Sequence, residues 1–189
     1  MSGKRQTEPR IEPIDLDEVT DDELRTTLAG ALTRDGRPLN IFGVLGHHPK
    51  LLKRFNLLGG FLLNKGLVPE RERELVILRV GWNAQAVYEF GQHTVIGKRC
   101  GLTDEEITAL TRSPYDHPWS AEDLALIALA DDLAADDGGG NGTWLALTMR
   151  WSEAELVELL VLAGVYRLGS GVLNSAGVQL DNGLPGFPP

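Results

Sequence analysis

Apolar stretches in this chain are repeatedly opened by helix-start signals, and none alternates as a strand would. Thr20 with Glu23, Thr103 with Glu106 and Ser152 with Glu155 carry a Ser/Thr-x-x-Glu pattern, and Ser120 with Asp123 is a weaker form of it. In that pattern the hydroxyl satisfies an amide of the first turn while the acidic side chain reaches back to the cap. Pro49 and Pro69 stand where a first turn tolerates proline. The glutamates of ERERE, after Pro69, suit the positive end of a helix dipole. A chain punctuated in this way is expected to be all-α. The expected elements are a helix from Thr20 to about Thr33, ended by DGRPL; a short helix IFGVLGHH capped by Asn40; and a helix PKLLKRFNLLGGFLLNKG, in which Gly59 and Gly60 predict a kink or close packing. A motif helix then begins at Pro69 and breaks at Gly81 and Asn83. DDGGGNG, residues 136–142, reads as a flexible loop. Residues 1–13 read as a disordered or draped arm, and 14–189 as a single domain.

Charge and cysteine usage narrow the function classes. A net charge of −9 argues against a nucleic-acid partner, because phosphate neutralisation needs clustered Lys and Arg. The polar N-terminus MSGKRQTEPRIEP has no apolar h-region, and no apolar run is expected to cross a bilayer, so no membrane partner is expected. A lone cysteine, Cys100, cannot form an intramolecular disulfide or a redox dithiol, and the cytoplasm is the expected location.

Candidate chemistry concentrates in residues 70–100, ERERELVILRVGWNAQAVYEFGQHTVIGKRC. Glu89 and His93 stand four residues apart on a helical stretch, the spacing at which two side chains meet. A carboxylate beside an imidazole holds a proton ready near neutral pH. Glu89 is expected to orient the ring and favour its charged form, with Glu74 reaching in from the preceding helix to complete a relay or accept a hydrogen bond from His93. A surface ion pair is the plainer reading of the same spacing, but Val87, Phe90, Val95 and Ile96 leave that helix little polar surface. Tyr88 and Trp82 flank the break; the Tyr88 hydroxyl could bind a substrate carboxylate or oxyanion, and Trp82 reads first as core. Arg79, inside an apolar helix, demands an anionic partner, either Glu74 or a substrate carboxylate. His47 and His48 invite a metal reading, but no ligand cluster lies at matching spacing, so no metal is expected. ELVILRV from Glu74 and ELVELLV from Glu155 match at five of seven positions, enough to raise an internal repeat of two helical hairpins. In that register Glu89 falls opposite Ser170 and His93 opposite Asn174, which could then face the same cavity.

The segments NIFGVLGHHPKLLKRF, LVPERERELVILRVGWNAQAVYEFGQH, GLTDEEI and LVELLVLAGVYRLGSGVLNSAGVQLDNGLPG resemble the carboxymuconolactone decarboxylase family, the wider group that includes the AhpD-type alkylhydroperoxidases. The most specific element is Glu74 followed by Tyr88, Glu89 and His93. The resemblance implies an AhpD-like bundle of packed antiparallel helices and a homo-oligomer (dimer, trimer or hexamer) with pockets near subunit contacts. It also implies that a histidine such as His48 lines the pocket. Peroxidase members carry a Cys-x-x-Cys pair where this chain has Ala86 and Glu89. With no thiolate there is no nucleophile for a peroxide, and Cys100 reads as a small buried apolar residue. The decarboxylase branch that the pattern resembles works without metal or organic cofactor on a lactone bearing a carboxylate. The expected activity is therefore a cofactor-independent decarboxylase or isomerase acting on a small carboxylated lactone or keto acid, with His93 as the acid. A non-catalytic scaffold or binding protein is the alternative, and peroxidase-like activity without the cysteine pair a distant one.

Overall fold

A computed structural model describes residues 6–31, 33–136 and 138–189 of the chain. Among them are nine α-helices: α1 Asp22–Ala29, α2 Asn40–Leu45, α3 Pro49–Asn64, α4 Glu70–Asn83, α5 Val87–Arg99, α6 Asp104–Ala109, α7 Ala121–Asp136, α8 Asn141–Thr148 and α9 Glu153–Ala176. The only ladder among the described residues joins β1 Thr33–Arg34 to β2 Arg37–Pro38. It turns on Asp35 and Gly36, both at positive φ, as a tight two-residue hairpin requires. The fold is all-α.

Local signals placed most helix starts. Thr103–Glu106 and Ser152–Glu155 form reciprocal capping boxes at α6 and α9. Ser120 accepts only from the Asp123 amide. Two starts differ from expectation. Asp21, not Thr20, caps α1, accepting from the Leu24 amide at 2.7 Å. Asn40 is already helical, and its side chain donates instead to Gln179 O at 3.0 Å. Asn141 and Gly142, expected in a loop, form the first turn of α8; Asp137 in that loop lies outside the described residues.

α4 is the hub. It packs against α5, α7 and α9, and Leu75, Val76, Ile77 and Leu78 are all fully buried, so the middle of the helix is covered on every side. Its interior charges are tied off. Arg79 grips Asp131 of α7 at 2.6 and 2.8 Å and donates to the carbonyls of Leu110 and Arg112. Glu158 of α9 accepts from the Leu67 and Val68 amides just ahead of α4. α4 runs through Gly81 and Asn83; the break comes after them, where Gln85 takes φ 54° and the Ala86 amide closes back on Gly81 O. The second copy of the suspected repeat has no such break, for α9 is one helix of 24 residues. There is no second hairpin.

Two cores result. The larger joins α4, α5, α6, α7, α8 and α9; the smaller gathers α1, α2 and α3 around Tyr88, Leu173 and Val178. α3 is unbroken at Gly59 and Gly60, and neither glycine is closely packed: a Cβ on either would meet nothing within 4 Å. Of the N-terminal arm, residues 1–5 lie outside the described residues. Further on, the Arg10 and Ile11 amides both donate to Ala176 O. By length and composition α9 could cross a bilayer, with mean hydropathy 1.7 over its most apolar stretch. It contains Glu158 and Arg167, however, and its inner face packs on α4.

Candidate active site

Where the two cores meet, a cavity of about 560 Å³ opens between α3, α5 and α9. The first turn of α4, the first half of α5 and the middle of α9 supply its polar lining: Arg73, Glu89, His93 and Tyr166 among apolar walls such as Phe55, Leu63 and Leu173.

His93 Nδ1–H donates to Glu74 Oε2 at 2.6 Å, and both side chains are buried. That bond leaves Nε2 as the ring nitrogen presented to the cavity. The second Glu74 oxygen accepts from Arg73 Nε at 3.0 Å, and Arg73 Nη1 donates to Leu63 O at 2.7 Å. Burial alone would raise the Glu74 carboxyl, but the imidazole and the guanidinium together hold it below the ordinary carboxylate range.

The expected pairing of Glu89 with His93 does not form. Among the described residues the one polar side chain bonded to Glu89 is Ser170, whose hydroxyl donates at 2.8 Å. Side chains on a helix lean toward its N-terminus, and Glu89 stands in the first turn of α5, so it leans away from His93. Its carboxyl fits between two glycines: a Cβ on Gly81 would come within 3.6 Å of it and one on Gly169 within 3.2 Å. Burial with no cation beside it pushes Glu89 up to about 8, and the Ser170 hydrogen bond offsets only part of that rise. Glu89 thus borders the cavity with its carboxyl protonated at neutral pH, while Glu74, held ionised, lies fully buried behind His93.

The other expected site residues scatter. Tyr88 lines the cavity, but its hydroxyl donates to Asp181 at 2.5 Å and accepts from the Ile41 amide. Arg79 is absorbed by Asp131 and faces away from the cavity. Trp82 packs edge-on against Phe187 at 5.1 Å. His48 caps α3, its Nδ1 accepting from the Leu51 amide, and Asn174 donates to Ala84 O at the end of α4. None of these four lines the cavity. Cys100, expected to be packed away, is half-buried and does line it, with Sγ 3.9 Å from Glu70 and 4.0 Å from Arg73. Burial, then Glu74, push its thiol up, away from thiolate. Among the described residues no three His, Cys, Asp or Glu side chains gather as a metal-binding group.

Arg73, Arg99, Tyr166 and Ser170 went unnoticed in the sequence as site residues. Ser170 did carry a signal, since the repeat register sets it opposite Glu89. Tyr166 carried a fainter one, as a phenol in a helix otherwise rich in Leu, Val and Gly.

Residues 49–132 match the Carboxymuconolactone decarboxylase family. Among curated proteins no sequence relative is found. Solved structures are similar in fold along nearly the whole chain. An uncharacterized peroxidase-related protein from Silicibacter sp. TM1040 is 12% identical, with all of both chains covered and a TM-score of 0.81. An alkylhydroperoxidase AhpD core protein from Ralstonia eutropha JMP134 is 16% identical, covering 92% of this chain and 93% of its own, with a TM-score of 0.79. The debrominase Bmp8 in complex with 2,3,4-tribromopyrrole is 14% identical, covering 94% of each chain, with a TM-score of 0.78.

Proposed function

We propose that this chain is a cofactor-independent decarboxylase or isomerase for a small carboxylated lactone or keto acid, working by proton transfer in the cavity beside α5. The observation that carries this reading is the His93–Glu74 couple, buried on its carboxylate side and open at Nε2 to a cavity that also holds a protonated carboxyl, Glu89. Titratable groups whose environments drive their pKa values apart mark acid–base assignments. Arg73 and Arg99 line the same cavity and favour an anionic substrate, while Glu70 beside Cys100 limits the positive field at that end.

In the decarboxylation, the bond between the lactone carbon and the substrate carboxylate breaks and carbon dioxide leaves. The electron pair flows into the unsaturated lactone as a dienolate. His93 then delivers its Nε2 proton to carbon and is recharged from solvent, with Glu74 holding the ring and compensating its charge. In an isomerisation the same nitrogen takes a proton from one carbon and returns it to another. We assign the reaction to the cytoplasm, a setting in keeping with an unpaired Cys100.

The test is turnover of a panel of unsaturated lactone carboxylates and 2-keto acids, followed by carbon dioxide release and ultraviolet absorbance. A general acid–base group contributes about 10²–10⁴-fold, so His93→Ala should lose at least about 100-fold with its melting temperature little changed. Absence of turnover across the panel, or a fully active His93→Ala, would overturn the assignment.

A further inference from the structure

The hydroxyl of Tyr166 does nothing for the fold. Tyr166 sits midway along α9 and lines the cavity, its ring edge-on to His93 with centroids 4.8 Å apart and planes at 89°. That packing uses the ring alone; phenylalanine would provide it equally. Three nearby polar side chains are engaged elsewhere: Tyr88 on Asp181, Glu74 on His93 and Arg73, Glu89 on Ser170. The Tyr166 hydroxyl has no hydrogen-bond partner among the described residues, yet it is not sealed in the interior. A donor is left pointing at the space beside the proton-transferring ring.

We propose that Tyr166 donates the hydrogen bond that receives the oxyanion formed on the substrate next to His93, with the Glu89 carboxyl as a second donor. The inference rests on the function proposed above and names what that function lacks: a group for the negative oxygen of an enolate or dienolate. When the carbon–carboxylate pair of electrons moves into the ring system, the charge settles on the carbonyl oxygen. His93 is occupied with carbon, and Arg73 is already divided between Glu74 and Leu63 O. A neutral donor is suited to this place because Glu74 has already neutralised the local cation. Burial, and then the neighbouring Glu74 carboxylate, raise the phenol well above its ordinary value, so it keeps its proton and gives a hydrogen bond only. Donors aimed at developing charge in a site withdrawn from water are commonly the largest contribution to such catalysis.

The experiment uses 4-nitrophenolate, a planar oxyanion whose absorbance distinguishes its ionised from its neutral form, with 4-nitroanisole as a partner that cannot ionise. Wild-type protein should bind the phenolate and favour its ionised form. Tyr166→Phe should weaken phenolate binding about tenfold or more while 4-nitroanisole binding and the melting temperature stay near wild type. Equal phenolate affinity in the two proteins, or a wild type that takes up the anisole and refuses the phenolate, overturns the proposal, as does a wild type that binds neither. The turnover assay separates the two readings. Phenolate binding that depends on Tyr166 in a protein without turnover supports the oxyanion site and sinks the enzyme. Turnover that is indifferent to Tyr166→Phe supports the enzyme and sinks the oxyanion site.

Discussion

Glu74 and Glu89 are the same side chain in opposite circumstances, and they tie stability to pH with opposite signs. Glu89 keeps its proton in the folded chain up to about 8, whereas an unfolded glutamate releases it near 4.5. Between those values the folded state binds the extra proton, so this contribution to stability is complete below the lower value and declines as pH rises toward the upper one. At about 1.4 kcal/mol per unit the decline amounts to ~5 kcal/mol at most. Urea unfolding between pH 5 and 8.5 should show it, and Glu89→Gln should flatten it; an unchanged slope in that variant would show that Glu89 is ionised in the fold. Glu74 contributes in the other direction. Its depressed value means that its stabilisation is present above the unfolded glutamate range and is lost as pH falls through the folded one. Glu74→Ala would strand the buried Arg73 guanidinium and leave His93 without its acceptor, a loss of about 3–5 kcal/mol in the same urea measurement. Which glutamate serves His93 was not legible from spacing. A separation of four residues along one helix is visible in a sequence, but the 2.6 Å bond to Glu74 depends on how α4 and α5 cross. Arg79 illustrates the same limit: its need for an anion was readable, and the anion, Asp131, comes from α7.

At the scale of elements, what could be read was what is local. The capping boxes at Thr103 and Ser152 involve residues three apart, so they survive any tertiary arrangement. The break between α4 and α5 turns instead on Gln85, a side chain with no special liking for positive φ, held there by the Ala86 amide closing on Gly81 O. Nothing in the composition of GWNAQA marks it, and so the expected break fell on Gly81 and Asn83. The same absence of a signal let a second hairpin be imagined in α9. The C-terminal segment is another element whose role is set at a distance. Asp181 accepts from Tyr88, Gln92 and the Asn40 amide, and Phe187 wedges between Trp82 and Phe90, so the segment straps α5 against α2 and α4. The strap needs Gly91, because a Cβ there would overlap the Pro185 carbonyl. Gly91→Ala is therefore expected to cost about 1–3 kcal/mol as overpacking and to release residues 178–189 to limited proteolysis. Wild-type resistance in that variant would show that the strap does not depend on the close approach.

At the scale of the whole molecule, α9 has two faces with different employment. Its inner face carries Tyr166, Ser170 and Glu158 toward the cavity and α4. Its outer face is a stripe of Val157, Val161, Gly164, Leu168 and Gly171, with Val157 61% and Leu168 58% exposed and both glycines open. Spacings of three and four residues set this stripe along one side of the helix, and Trp144 and Leu145 of α8, with Met149 at its C-cap, are exposed as well. Soluble monomers rarely leave so continuous an apolar surface to water. We propose a second copy of this chain as its cover, since a symmetric pairing buries the same stripe on both partners and needs no other component. A lone chain would also leave the helix that carries Tyr166 and Ser170 supported on one side only, so pairing would stiffen the candidate site without entering it. Sedimentation equilibrium should find an oligomer whose mass is a multiple of 20.6 kDa. Val161→Glu combined with Leu168→Glu should return it to a single chain, because burying two unpaired carboxylates costs more than such a stripe can supply. If wild-type protein sediments as one chain at every concentration, the stripe belongs to some other partner and α9 needs no second copy to hold its inner face in place.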